Sequence, residues 1–229
     1  MNILSIIPAR SGSNGLPKKN TIDLAGAPLI AWSIEASKQS TFITRSIVSS
    51  DNEEILAIAS QYGADVLLRP VALSSDNTPT EPVITHVLDN IEQVDQYSYI
   101  VLLQPTSPLR NGKDIDNAMQ YLLTQKATAL ISVKEVDNKI LKAFTADNRG
   151  YLKGISNNNY PFMSRHDLPN VYMPNGAIYV IHVHEFLATK KLFTNRTIPY
   201  VMSEQKSIDI DNANDLRLAR QIIKNLNGN

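Results

Sequence analysis

"IIPARSGSNGLPKKN" occupies residues 6–20 of the chain. An apolar run passes at once into a segment with two glycines, two serines and three basic residues. Either a strand ends here in a solvated turn, or the turn wraps a polyanion such as the triphosphate of a nucleotide. Gly12 and Gly15 would let the backbone come close to a ligand, because no Cβ intervenes. Successive N–H groups in such a turn can form an anion-binding nest. Arg10 would add a planar fork of donors, and Lys18 and Lys19 compact charges. The loop has neither the G-x-x-x-x-G-K-[ST] pattern nor the spacing of G-x-G-x-x-G. By itself it leaves both readings standing.

The rest of the chain sets the frame for that loop. Apolar strands are expected at 2–7, 45–50, 64–69 and 97–104, and amphipathic helices at 27–40, 52–63, 81–94 and 115–125. Asp51 is placed to cap the second helix, which ends at Gly63. This β-loop-α rhythm predicts an α/β fold, a mostly parallel sheet with helices on both faces. The rhythm breaks after a strand at 127–136: residues 137–174 are polar and rich in Asn. Strands at 175–182 and 197–202 and a closing helix at 212–227 follow. The chain reads as one domain, 1–229, with 137–174 inserted in it. A segment that long is not an idle loop, so it serves either function or a subunit contact. Ligands of such folds bind beyond the carboxyl ends of the strands.

Composition narrows the partners. At 229 residues the chain can bury a substantial core. Lys plus Arg and Asp plus Glu number 22 each, so no global field attracts nucleic acid or an anionic membrane. Anion binding, if present, is local. There is no cysteine, which excludes disulfides and thiolate metal sites and suits a reducing cytoplasm. The opening "MNILSIIPAR" lacks the pattern of a signal peptide, and no window approaches the roughly 20 apolar residues of a membrane span. A cytoplasmic protein is expected.

Four further segments could carry chemistry. In "LLRPVALSSDNTPTE" (67–81), Arg69, Asp76 and Thr78 could hold a base or ribose at the edge the opening loop occupies. They could equally be a strand-end Arg followed by a Ser/Asp/Thr turn. In "LLQPTSPLR" (102–110), Gln104 can donate and accept hydrogen bonds, as a polyhydroxylated substrate requires. The alternative is a connector stiffened by two prolines. In "SIDIDNANDL" (207–216), Asp209 and Asp211 fall on one side of an extended segment. Such a pair suits Mg²⁺, which takes one or two carboxylates plus phosphate oxygens and water. Otherwise Asp211 caps the last helix and Asp209 is solvated. "HVH" places His182 and His184 on one face of a strand, but no third zinc ligand is near in sequence.

Taken in order, "IIPARSGSNGLPKKN", "LLRP…SSDNT", "LLQPTSPLR", "PNGAIY" and "SIDID" resemble the motifs of the acylneuraminate cytidylyltransferases, or CMP-sialic acid synthetases. The resemblance runs from about Ile3 to about Leu216. It implies a nucleotide-binding α/β domain with a dimerisation element inserted in its later half, hence a homodimer, with 137–174 as that insert. It also implies CMP transfer from CTP to a nonulosonic acid, a nine-carbon 2-keto sugar acid, with Mg²⁺ as cofactor and pyrophosphate as by-product. Carried over by position, Arg10, Lys19 and Asn20 would contact CTP, and Arg69, Asp76 and Thr78 would surround the cytidine. Gln104, Lys142, Arg165 and Tyr179 would meet the sugar acid, with Lys142 or Arg165 coming from the partner subunit. Asp209 and Asp211 would hold the metal. Lys19, Arg165 and Asp211 would take the catalytic roles, Asp211 as the base. One departure stands out: the family commonly has Lys where this chain has Asn14, which shifts weight onto Lys18 or Lys19.

Three rivals remain open at this point. The eight-carbon acid of lipopolysaccharide would be activated by the same fold and reaction. A nucleotide-sugar glycosyltransferase could use "DID" as a metal motif, although its place near the C-terminus speaks against that. A nucleotide-binding regulator could have kept the pocket without the chemistry, which the retention of both aspartates opposes.

Overall fold

The computed structural model describes residues 1–12 and 15–227. In chain order its elements are β1 (Asn2–Pro8), β2 (Asp23–Leu24), β3 (Ala27–Pro28), α1 (Leu29–Gln39), β4 (Arg45–Ser50), α2 (Glu53–Gln61), β5 (Asp65–Leu68) and α3 (Thr80–Asp89). There follow β6 (Tyr97–Leu102), α4 (Gly112–Thr124), β7 (Ala129–Val136), β8 (Phe144–Ala146), β9 (Leu152–Gly154), β10 (Val171–His182), α5 (Val183–Thr189), β11 (Thr197–Val201) and α6 (Ala213–Asn227). Seven strands form one sheet in the order β11-β7-β10-β6-β1-β4-β5. All run parallel except β10, which is antiparallel to both its neighbours.

The sheet is buried on both faces, which is why its central strands read as unbroken apolar runs. On β1, Ile3 and Ile7 face α1, α2 and α4, with Ile34, Ile55 and Met119 in the same cluster. Leu4 and Ile6 face the other way, towards Ile84 and Val87 of α3 and Phe186 of α5. A third cluster brings α6 (Leu216, Ala219, Ile223) onto Leu29 of α1, Leu16 of the opening loop and Ile210. Through it the last helix fixes the opening loop and the "DID" segment against the same helix.

Local chemistry explains where the elements differ from expectation. The second helix is capped by Asn52, whose Oδ1 accepts from Ile55 N at 3.1 Å, and not by Asp51. α4 begins at Gly112, three residues ahead of the expected start at 115, because Asn111 and Asp114 close a capping box. Ala27–Pro28 pairs with Asp23–Leu24 as a hairpin, so the first helix begins at Leu29. β10 reaches back to Val171, inside the expected insert. His182 ends β10 but His184 belongs to α5, so the two imidazoles share no strand; they stack at 5.5 Å beside Tyr99. Residues 137–174 otherwise form short 3₁₀ turns and the β8–β9 hairpin, and they expose Phe144, Leu152 and Phe162. No helix among the described residues is long and apolar enough to cross a membrane.

Candidate active site

In the sheet, β1 lies between β6 and β4, and the chain leaves β1 towards β4 on one side and returns as β6 on the other. This is a topological switch point, where two neighbouring loops diverge and leave a crevice. The loops after β1, β5 and β6 wall a recess of about 310 Å³, and Asp209 and Asp211 close its rim. Arg10, Lys19, Asn20, Arg69, Asp76, Thr78, Gln104, Asp209 and Asp211 all line it.

The opening loop is held at both ends. Ser11 donates from its amide (2.9 Å) and hydroxyl (2.6 Å) to the carboxylate of Asp51. Burial alone would raise that carboxyl, but the Ser11 donors outweigh it and hold it below its ordinary value. Asn20 is buried, and its Nδ2 donates to the Arg10 carbonyl at 2.8 Å, closing the loop on itself. Lys18, in the left-handed region at φ 54°, turns outward to Glu54 (3.4 Å). Lys19 turns inward, and its Nζ reaches Asp211 Oδ1 at 2.9 Å. Of the two lysines, only Lys19 lines the recess. Asn14 lies outside the described residues.

On the β5 side, Arg10 pairs with Asp76. Arg69 is buried at 4% exposure, and its Nε donates to Ser74 Oγ at 2.8 Å. Burial lowers its guanidinium pKa, with the carboxylate of Asp51 pulling the other way. The Thr78 hydroxyl shares a 2.7 Å hydrogen bond with Ser75. Two guanidinium groups and a lysine therefore flank one recess.

Across from them the loop after β6 is anchored from beneath. The Gln104 carbonyl accepts from Ser107 N (3.3 Å) and from Arg110 Nη2 (3.1 Å). Ile210 N donates to the Thr106 carbonyl at 2.8 Å, which ties the "DID" segment to this loop. Asp209 also meets the Thr106 hydroxyl. Its carboxyl is pushed up, first by desolvation and then by Asp211 and Asp215, against the lowering influence of Thr106 and Lys19. Asp211 does not cap α6. Asn212 does so, accepting from Asn214 N (2.8 Å) and Asp215 N (3.2 Å), while Asp215 accepts from the amides of Asp211 and Asn212 at 3.0 Å. The Asp211 side chain is thereby left to face Lys19. Gly15 passes so close that a Cβ there would lie 2.2 Å from the Asp211 carbonyl oxygen.

The remaining sequence-derived residues stand apart. Tyr179, on β10 between Leu102 and Ile131, is partly buried; burial and Asp209 both raise its phenol pKa. Lys142 and Arg165 lie on the 137–174 segment, where Arg165 pairs with Asp137 at 3.6 Å. Neither lines the recess. Sequence reasoning also missed a buried polar hub. The Asn175 side chain accepts from Ser132 Oγ (2.6 Å) and donates to Ser207 Oγ (2.9 Å), and its carbonyl accepts from Ser107 Oγ (2.9 Å). Asn175 stood inside a quoted motif, but nothing local announces that three distant serines meet there.

An open α/β sheet with a cationic glycine loop at its switch point, faced by a carboxylate pair, is an arrangement suited to a nucleotidyltransferase. More narrowly, the chain belongs to the cytidylyltransferase family, whose model matches residues 4–226. It is 36% identical over 218 residues to the N-acylneuraminate cytidylyltransferase of Escherichia coli O18:K1:H7 (strain RS218 / NMEC), covering 95% of this chain and 51% of that protein. The chain thus spans about half the length of that relative. It is 33% identical over 229 residues to the CMP-N,N'-diacetyllegionaminic acid synthase of Legionella pneumophila subsp. pneumophila (strain Philadelphia 1 / ATCC 33152 / DSM 7513), covering 98% of this chain and 97% of that protein. Among solved structures it resembles CMP:2-keto-3-deoxy-manno-octonic acid synthetase complexed with CTP, with a TM-score of 0.74, 15% identity, and coverage of 99% of this chain and 100% of that one. That is a likeness of fold.

Proposed function

We propose that this protein transfers CMP from CTP to the anomeric 2-hydroxyl of a nonulosonic acid of the sialic type, releasing pyrophosphate. The observation that carries the proposal is the convergence of Arg10, Lys19, Gln104, Asp209 and Asp211, from three separate chain segments, around one recess. Two anions must approach each other there, so charge has to be neutralised before a bond can form. Arg10 and Lys19 serve the phosphates, Asn20 holds the loop that presents them, and Arg69, Asp76 and Thr78 bound the cytidine end. Gln104 binds a hydroxyl of the sugar acid, with Tyr179 behind it.

The 2-hydroxyl oxygen attacks the α-phosphorus, the bond to the β-phosphate bridging oxygen breaks, and pyrophosphate leaves. Asp211 accepts the hydroxyl proton. Asp209 and Asp211 offer hard oxygen donors, and the Asp209 carboxyl, raised first by burial and then by Asp211, would gain from a dication. When bound, Mg²⁺ would supply charge neutralisation at the phosphates. Lys142 and Arg165 lie too far out to serve this recess, and their segment exposes Phe144, Leu152 and Phe162. We assign that apolar surface to a homodimer contact that carries Lys142 and Arg165 to the partner's sugar carboxylate. A cytoplasmic location fits the absence of cysteine.

The test is pyrophosphate release from CTP and Mg²⁺ across a panel of sialic, legionaminic, pseudaminic and eight-carbon 2-keto acids. Turnover with a nonulosonic acid supports the assignment. Turnover with the eight-carbon acid alone, or CTP binding without release on any acid, overturns it.

A further inference from the structure

Arg110 closes "LLQPTSPLR" and is the largest fully buried side chain among the described residues, 2% exposed as a residue. Among the described residues no carboxylate lies within ion-pair distance of it, and Asp114, whose charge it feels, is held by Lys206 at 2.6 and 2.7 Å. Its guanidinium donates only to neutral oxygens: Nη1 to the Ser107 carbonyl (2.7 Å), Nη2 to Ser33 Oγ (2.6 Å) and to the Gln104 carbonyl (3.1 Å). Nε is buried and finds no acceptor among the described residues. Burial draws the group down to about 9, against the raising influence of Asp114. An unpaired buried cation carries a large desolvation cost, and an apolar side chain of like volume would fill the space without it.

What the guanidinium does, and Met or Leu could not, is hold two carbonyls three residues apart in one turn. Everything on the far wall of the recess hangs from that turn. Gln104 is its first residue. Thr106 within it accepts from Ile210 N (2.8 Å) and meets the Asp209 carboxyl. Ser107 reaches Asn175 (2.9 Å), which in turn reaches Ser207 (2.9 Å), two residues before Asp209. Among the described residues of the opposite wall, with Arg10, Lys19 and Arg69, none is hydrogen-bonded to Arg110.

We propose that Arg110 is a positioning residue for the acceptor half of the site: its guanidinium fixes the Gln104–Ser107 turn and, through Thr106, the place of Asp209 relative to Gln104. The kinetic part of this rests on the function proposed above; the structural part does not. A residue that only stabilised the fold would weaken both walls together, whereas a positioning residue affects one.

The test compares the parent with Arg110→Met and Arg110→Lys. Amide hydrogen exchange is followed at Ile210, bonded to Thr106, and at Arg69, bonded to Ser50 on the other wall. Arg110→Met is expected to speed exchange at Ile210 roughly tenfold or more and leave Arg69 near the parent, with CTP affinity by calorimetry in metal-free buffer within about twofold. KM for the sugar acid is expected to rise roughly tenfold, and Arg110→Lys to recover part of it. Equal acceleration at both amides, or no change at Ile210, overturns the proposal. If Arg110→Met does not fold, Arg110→Lys, which keeps the charge but lacks the fork that spans both carbonyls, must show the same one-sided acceleration in weaker form, and its absence overturns the proposal. Failure of the parent to turn over any sugar acid would sink the proposed function while leaving the exchange result to decide on Arg110.

Discussion

Lys19 and Asp211 stand 192 positions apart in the chain and meet at 2.9 Å, Nζ to Oδ1. Together with the Arg10–Asp76 pair, this sets two cations of the recess against two carboxylates. On the function proposed above, Arg10 and Lys19 would each exchange a carboxylate for a phosphate when a nucleotide enters, and Asp211 would then face a second cation. The site is thus poised by pairs that are themselves weak, since partly exposed ion pairs contribute about 0–1 kcal/mol.

That weakness separates activity from stability. Asp211→Ala is expected to lower turnover by roughly 100-fold or more while changing the free energy of unfolding by no more than about 1 kcal/mol. Steady-state pyrophosphate release and urea denaturation check the two halves. Near-normal CMP-sugar formation by this variant would refute the role given to Asp211.

Gly15 and Gly12 make a controlled pair. A Cβ at Gly15 would fall 2.2 Å from the Asp211 carbonyl oxygen, a backbone atom that cannot swing away, whereas one at Gly12 meets nothing within 4 Å among the described residues. Gly15→Ala should therefore cost about 1–3 kcal/mol of stability and weaken CTP binding. Gly12→Ala should stay within about 0.5 kcal/mol of the parent. Equal stability of the two variants in urea would contradict this packing.

Gly176 controls Gln104 from the other side. It sits at φ 75°, and a Cβ there would lie 2.5 Å from Gln104 Oε1 and 2.7 Å from Ser107 Oγ. Gly176→Ala is expected to displace the amide and raise KM for the sugar acid roughly tenfold, with CTP affinity little changed. Steady-state kinetics with each substrate varied in turn distinguishes this outcome from a uniform loss.

Asp209 gives a pH signature. Its folded pKa is raised above the ordinary aspartate value of 3.8, so the folded state favours the protonated form and the carboxylate works against folding. That cost is absent below the unfolded pKa, grows as pH rises through 3.8, and is complete above the folded pKa. Asp209→Asn should therefore raise the Tm of the ligand-free protein at neutral pH, with the gain vanishing as pH falls below 3.8. A gain of constant size across that range would show that charge is not its cause. Loss of metal-dependent turnover in the same variant would fit a site that trades stability for function.

The alternation of apolar runs and amphipathic stretches determined the α/β architecture, because a sheet covered on both faces needs continuous apolar strands. The order of loops rich in Gly, Arg and Asp after successive strands determined the family and most of the recess, since parallel strands deliver their carboxyl-end loops to one edge. Tertiary structure alone decided the rest. Whether Lys18 or Lys19 faces inward depends on a single left-handed residue at 18. Whether Asp51 caps a helix or holds Ser11 depends on Asn52 taking the cap. Asp211 was free to meet Lys19 because Asn212 served α6 instead. Arg110 and Asn175 were silent in the sequence because their partners lie up to 77 positions away, and a buried polar group gains its meaning only from what the fold brings within hydrogen-bond reach.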